Sequence, residues 1–267
     1  FPEDALLSHR LDRGSLTTEE VHQLATLVAD FHLEARRADR NVVWGEPEQV
    51  FEDMSDIIGD LCSTPLDSSD ESAAFAVQVS ELQRWSEQFF ADHRQLFQQR
   101  IQNGFIRECH GDLHLANVIH WKGRLMPFDG IEFNDQFRWI DVLSDAAFMA
   151  MDFAAHGHTD LSRLFINAYL ERTGDHASLA LLRWYLVFRA LVRARVAAMR
   201  AAQFDRSEEP WREAVKDCRH HVDLATRYSR PNDLRLWITH GLSGSGKSTG
   251  SEIVVARHGA IRLRSDV

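Results

Sequence analysis

The hydrophobic period of this chain shortens twice, and those changes limit what it can fold into. Thr17, with Glu20 three residues on, is a capping pair. Val21, Leu24, Leu27, Val28 and Phe31 then recur at helical spacing, which predicts a helix over about 17–35. Further helices are expected over 50–61 and 71–102, with a loop by composition at 64–70 and a stop at Asn103-Gly104. The period then shortens. Residues 105–109 suit a strand, and 117–121 and 125–128 flank Lys122-Gly123-Arg124 as a hairpin. Helical spacing returns over 139–155, 161–173, 177–203 and 210–228. The second change follows the only convincing boundary, 229–233. Residues 234–239 read as a buried strand, run directly into a glycine-rich loop, and a helix follows. The expected fold class is mainly α with a small β-hairpin region over 1–230, then the first βαβ part of an α/β domain over 231–267. Residues 260–263 resemble the second strand of that part.

Composition removes several classes of function. With 44% hydrophobic residues among 267, a sizeable core is available. A net charge of −10 argues against non-specific nucleic-acid binding, which needs a basic face. No apolar run approaches the ~20 residues of a membrane span. The opening Phe1-Pro2-Glu3-Asp4 is unlike a signal peptide. Three widely spaced cysteines, Cys62, Cys109 and Cys218, suit a reducing cytoplasm and read as small buried thiols.

The hairpin region carries the chemistry. His110-Gly111-Asp112-Leu113-His114-Leu115-Ala116-Asn117 is followed, twelve residues after its Asn, by Asp129 in Phe128-Asp129-Gly130. An acid, an amide and a second acid are what metal-assisted phosphoryl transfer needs, because that reaction is mostly positioning and charge stabilisation. Asp112 can accept the proton of an attacking hydroxyl. Asn117 and Asp129 offer oxygen ligands suited to Mg2+. A lone Asp-x-x-x-x-Asn is more often a capped turn, and the added His110-Gly111, His114 and Asp129 favour the site. His110 and His114 read as structural. Glu132 reads equally well as a group near the metal or as a surface residue.

A second constellation is Gly241-x-x-x-x-Gly246-Lys247-Ser248, a complete Walker A pattern between a strand and a helix. Backbone N–H groups across Gly241, Ser243, Gly244, Ser245 and Gly246 would cradle the phosphates of ATP at the helix start. Lys247 would reach the β- and γ-phosphates, Ser248 would bind magnesium, and Thr249 would pack or cap beside them.

The pattern His-Gly-Asp-x-His-x-x-Asn with its downstream Asp resembles the aminoglycoside phosphotransferase family of protein-kinase-like enzymes. The resemblance spans most of 1–230, although specific residues lie only between His110 and about Asp145. It implies a kinase-like carboxyl-terminal lobe that uses ATP and Mg2+, with Asp112 as catalytic base and Asn117 and Asp129 as metal ligands. Phe128-Asp129-Gly130-Ile131-Glu132 stands where many relatives have Ile-Asp-Trp-Glu, keeping both acids. Arg138 and Asp141 match recurring polar positions and read as a structural ion pair or hydrogen bond. Such enzymes also have an amino-terminal lobe with a phosphate-pairing lysine. The first lysine here is Lys122, so the chain is expected to start after that lobe; a pseudokinase is the alternative.

The Walker unit resembles AAA-type and gluconate-kinase-like P-loop domains. In those an Asp after the second strand, here Asp266, contacts or deprotonates the acceptor hydroxyl; an Asp at a strand end reads equally well as a cap of the next helix. The order of the two parts resembles bacterial fusion proteins. Together the resemblances imply a cytoplasmic, ATP- and Mg2+-dependent phosphotransferase whose partners are a nucleotide and a small hydroxyl-bearing substrate. The alternatives are a non-catalytic lobe that controls a P-loop ATPase and, from the P-loop alone, a nucleic-acid end kinase, against which the acidic charge counts.

Other features read as structural. Arg183, Arg189, Arg193, Arg195 and Arg200 share one expected helix. They could approach an anionic substrate, but are expected to pair with the surplus acids or to form a solvated face. His156, His158, His220 and His221 read as surface residues, and Trp85, Trp139, Trp184 and Trp237 as core.

Overall fold

A computed structural model describes residues 2–39, 44–64, 69–231, 235–242 and 244–263. Its order is α1 (Leu7–Asp12), α2 (Thr18–Glu34), α3 (Pro47–Cys62), α4 (Ser69–Gln102), β1 (Ile106–Glu108), β2 (Val118–Trp121), β3 (Arg124–Pro127), α5 (Asp135–Arg138), β4 (Trp139–Asp141), α6 (Val142–Ala155), α7 (Thr159–Thr173), α8 (Leu179–Ala201), α9 (Glu209–Ser229) and α10 (Lys247–His258). The fold is mainly helical, with two small antiparallel ribbons, β1–β4 and β2–β3.

Local chemistry explains most boundaries. The Thr17 hydroxyl accepts from Glu20 N, and the Glu20 carboxylate accepts from Thr17 N, closing the capping box at the start of α2. At its other end, the Arg107 guanidinium of β1 donates to the carbonyls of His32 and Leu33, which have no partner within the helix. The β2–β3 ribbon turns through Lys122 (φ 50°) and Gly123 (φ 76°). Two consecutive left-handed residues match the twist of a tight hairpin.

α6 is buried on every face from Val142 to Ala154, the condition for a helix that is apolar all round. It packs against α7 and α8, and α8 runs along α9. Trp184 of α8 is fully buried, with the rings of Phe51, Trp85, Phe89, Phe90 and Phe97 within 6.5 Å. Beside this apolar centre lies a buried ionic one. Arg100 donates to both carboxylate oxygens of Asp141 (2.5 and 2.6 Å) and to Asp175 (2.8 and 2.9 Å). Asp141 also caps α6 through Leu143 N and accepts from the Tyr185 hydroxyl. Arg138 and Asp141 therefore do not pair with each other; Arg138 binds Glu108 and Asp135.

Several expectations are corrected. The helix expected from 139 starts at Val142, because Trp139–Asp141 forms a strand with Ile106 opposite Asp141. Alternating burial over those three residues outweighs the helical spacing. In the last unit neither expected strand forms: residues 235–240 and 261–263 carry no regular structure. A strand needs a neighbour, and among the described residues none lies beside either segment. Leu236 and Ile238 are consequently exposed, and Trp237 is half-exposed and stacks on His258 rather than entering the core. Cys109 and Cys218 are buried as expected, whereas Cys62 is exposed. His221 is buried beside Asp217 rather than on the surface. No helix among the described residues is long and apolar enough to cross a membrane.

α10 rests on α7. Arg163 donates to the carbonyls of Ala256 and Arg257, capping the end of α10. The Asn167 amide bonds Ala260 O and Arg262 N, and Arg262 forms a two-point ion pair with Glu171 (2.5 and 2.9 Å).

Candidate active site

β1 delivers the chain into the loop 110–117, and α6 holds that loop from below. Asp145, fully buried, accepts from the backbone N–H groups of His110 (3.1 Å) and Gly111 (3.0 Å). His32 of α2 bonds the Asp145 carboxylate through Nε2 (3.1 Å) and the Tyr169 hydroxyl through Nδ1 (2.9 Å). Burial alone would raise the Asp145 carboxyl. The His32 hydrogen bond and charge, helped by His110 and Arg189, outweigh that and hold it low. Two helical turns further, Asp152 accepts from Leu115 N (2.9 Å). Arg189 of α8, also buried, donates to Gly111 O (3.1 Å) and Ser144 O (3.1 Å), so it lies under the loop and not on a solvated face.

The loop then presents the residues expected to form the site. The Asn117 amide nitrogen donates to Asp112 O and to Asp112 Oδ2, both at 3.0 Å. His114 Nε2 lies 3.3 Å from the same Oδ2. Asp112 Oδ1 and Asn117 Oδ1 accept no hydrogen bond among the described residues. Burial pushes the Asp112 carboxyl up, but the His114 bond and the charges of His114, Arg189 and Arg193 outweigh it, leaving a carboxylate below the usual range.

Asp129 is brought to this loop by bonds on both sides of it. Phe128 N donates to Asn117 O (3.0 Å), His110 Nε2 donates to Phe128 O (2.8 Å), and Ile131 N donates to His110 O (2.9 Å). A ring nitrogen facing a carbonyl must carry the proton, so His110 fixes its own tautomer here, and its structural role is as expected. Asp129 itself has φ 60°, a left-handed backbone that side chains seldom adopt outside functional loops. Its side chain is exposed, as are those of Glu132 and Phe133.

A free amide oxygen on Asn117 and a free carboxylate on Asp129 are hard oxygen donors, the set that suits Mg2+. Gly111 sets the geometry tightly. Its φ is 83°, and a Cβ there would lie 2.6 Å from Phe137 O and 3.2 Å from Ile131 Cδ1. Gly111→Ala is therefore expected to lose about 1–3 kcal/mol of stability in urea unfolding. An unchanged midpoint would mean that the loop relaxes freely.

At the Walker segment, Gly246 caps α10 in a left-handed conformation, and Lys247 Nζ donates to Gly241 O (2.8 Å) and Leu242 O (2.6 Å). The amine closes the loop over the helix start. Ser248 and Thr249 occupy the first turn of α10, and Gly244 and Ser245 precede it. Ser243 and Asp266 lie outside the described residues. The buried supports Asp145, Asp152 and His32 were not singled out from the sequence, and Arg189 was read there only as one of a group of helix arginines. A signal did exist: α6 carries two acids seven residues apart in an otherwise apolar run, and buried carboxylates require donors.

Residues 236–267 match the family described as an AAA domain. Over 188 residues, 70% of this chain, it is 33% identical to proteins of Mycobacterium tuberculosis and Mycobacterium bovis described only as uncharacterized. The match covers 36% of each, so the chain spans about a third of the length of the curated relatives it matches. In fold it is similar to an ethanolamine kinase of Plasmodium vivax, with a TM-score of 0.51 at 13% identity over 80% of this chain and 62% of that one. At that identity the likeness establishes the fold, a mainly helical kinase-like lobe.

Proposed function

We propose that the loop bearing Asp112, Asn117 and Asp129 is the phosphoryl-transfer site of an ATP-dependent small-molecule kinase of the aminoglycoside phosphotransferase type, joined to a P-loop ATP-binding unit. One observation carries this reading. The Asn117 amide spends its donors on Asp112 and leaves its oxygen free, while Asp129 is pinned alongside by bonds on either side.

In this reading Asp112 Oδ2 is held by Asn117 and His114, and Oδ1 takes the proton of the acceptor hydroxyl. The acceptor oxygen forms the new bond to the γ-phosphorus as the bond to the β,γ-bridging oxygen breaks, and ADP leaves with that electron pair. A magnesium ion held by Asn117 and Asp129 would neutralise phosphate charge. Asp145, Asp152 and Arg189 keep the loop rigid, which this positioning chemistry needs. The similarity to an ethanolamine kinase supports a small hydroxyl compound as acceptor. The Walker segment is assigned a second nucleotide, held by the loop from Gly241 to Gly246 and by Lys247, Ser248 and Thr249, with Asp266 toward its acceptor.

The test is label transfer from γ-labelled ATP to a panel of small alcohols by the full-length protein. Transfer should require Mg2+ and stop with EDTA. Lys247→Ala should leave transfer at the Asp112 site but weaken nucleotide binding at the Walker segment about 10- to 150-fold, the worth of a charge-assisted bond of about 1.5–3 kcal/mol. If no alcohol takes label, and Lys247→Ala removes all ATP turnover, the helical lobe is a non-catalytic partner of a P-loop ATPase.

A further inference from the structure

α8 carries five arginines, and the structure accounts for four. Arg183 donates to the carbonyls of Tyr228, Ser229 and Arg230 at the end of α9. Arg189 holds Gly111 and Ser144. Arg195 pairs with Asp60 and Arg200 with Asp217. Arg193 is half-buried and has no hydrogen bond or ion pair among the described residues.

Its position follows from helical spacing. Residues four apart share a face, so Arg193 lies one turn beyond Arg189, whose guanidinium touches the carbonyl immediately before Asp112. Asp112 and Asp217 feel its charge, but neither forms an ion pair or hydrogen bond with it. Asp112 is held by Asn117 and His114, and Asp217 by Arg200 and His221. A guanidinium with unused donors on a half-buried side chain, a fork that fits carboxylate or phosphate at two points, is a binding group without its ligand.

Resting on the kinase reading above, we infer that Arg193 receives an anionic group of the acceptor, so that the acceptor is a hydroxyl compound bearing a phosphate or a carboxylate. Arg189 and Arg193 both act on Asp112 as positive charges. That environment opposes a cationic alcohol and draws in an anionic one with its hydroxyl toward Asp112.

The experiment uses the full-length protein in a Lys247→Ala background, which weakens the Walker segment as a competing anion site. Glycerol 3-phosphate, glycerate, glycerol and ethanolamine are titrated calorimetrically, and label transfer to each is measured. Glycerol 3-phosphate and glycerate should bind more tightly than the other two, and the stronger of them identifies the anionic group. Arg193→Gln should weaken their binding, and raise their KM, about 10- to 100-fold. Arg193→Lys should restore part of the loss, and Asp112→Asn should not weaken binding. A thermal midpoint unchanged in Arg193→Gln would separate this from a folding defect. Binding by neither anion, or equal binding by Arg193→Gln, overturns the inference. Arg193-dependent binding without label transfer to any acceptor would instead sink the kinase reading and leave the anion site standing.

Discussion

Asp112→Asn is expected to lower kcat for transfer to the acceptor by about 10²–10⁴-fold, the usual contribution of a positioned base. The substitution is nearly isosteric, and Asn117 and His114 can still meet an amide at that position. Folding and nucleotide affinity should therefore survive while proton acceptance is lost. A fall in kcat with KM almost unchanged identifies a group acting in the transition state. The pH profile gives an independent check. The Asp112 carboxyl lies below the usual carboxylate range, the His114 bond and the nearby cations having overcome the upward push of burial. The base is therefore ionised above that lowered value, and kcat/KM falls only as pH drops through it. An acid limb at or above the ordinary carboxylate pKa, or full activity in Asp112→Asn, would remove Asp112 from this role.

The largest stability effect is expected at Arg100. Its side chain is 3% exposed and faces Asp141 and Asp175, which are 2% and 4% exposed. Arg100→Met keeps the volume but leaves two buried carboxylates without their cation. Breaking a buried pair in this way costs about 3–5 kcal/mol. The exposed pair of Arg195 with Asp60 is the internal comparison, and Arg195→Met should change stability by only about 0–1 kcal/mol. Urea unfolding of both variants reads the difference. If Arg100→Met costs no more than Arg195→Met, the network is not what fixes Asp141, and with it the junction of β4 and α6.

Much of this architecture is legible in the sequence, for reasons that are local. Thr17 with Glu20, the periodic faces of α2 and α4, and Lys122-Gly123 between two short alternating runs each determine their own element within a few residues. Asp112, Asn117 and Asp129 are legible as the proposed site because phosphoryl transfer would fix the spacing of such groups. The supports beneath them are not, because each acts at long range. Asp145 meets His32 across 113 positions, and Arg189 meets Gly111 across 78; no window of sequence contains both partners. β4 is missed for the same reason, since only β1, more than thirty residues earlier, makes 139–141 a strand. The expected strand at 234–239 fails in the opposite sense: its apolar composition is right, but strand character needs a neighbour to complete it.

The left-handed backbone at Asp129 narrows the choice of residue from two directions at once. Glycine accepts φ 60° readily but brings no oxygen ligand; glutamate brings the ligand but resists the backbone. Asparagine fits the backbone and offers an oxygen, yet carries no charge. Aspartate alone meets both demands at moderate cost, so in the proposed site conformational tolerance and ligand chemistry together would restrict this one position more tightly than either would separately.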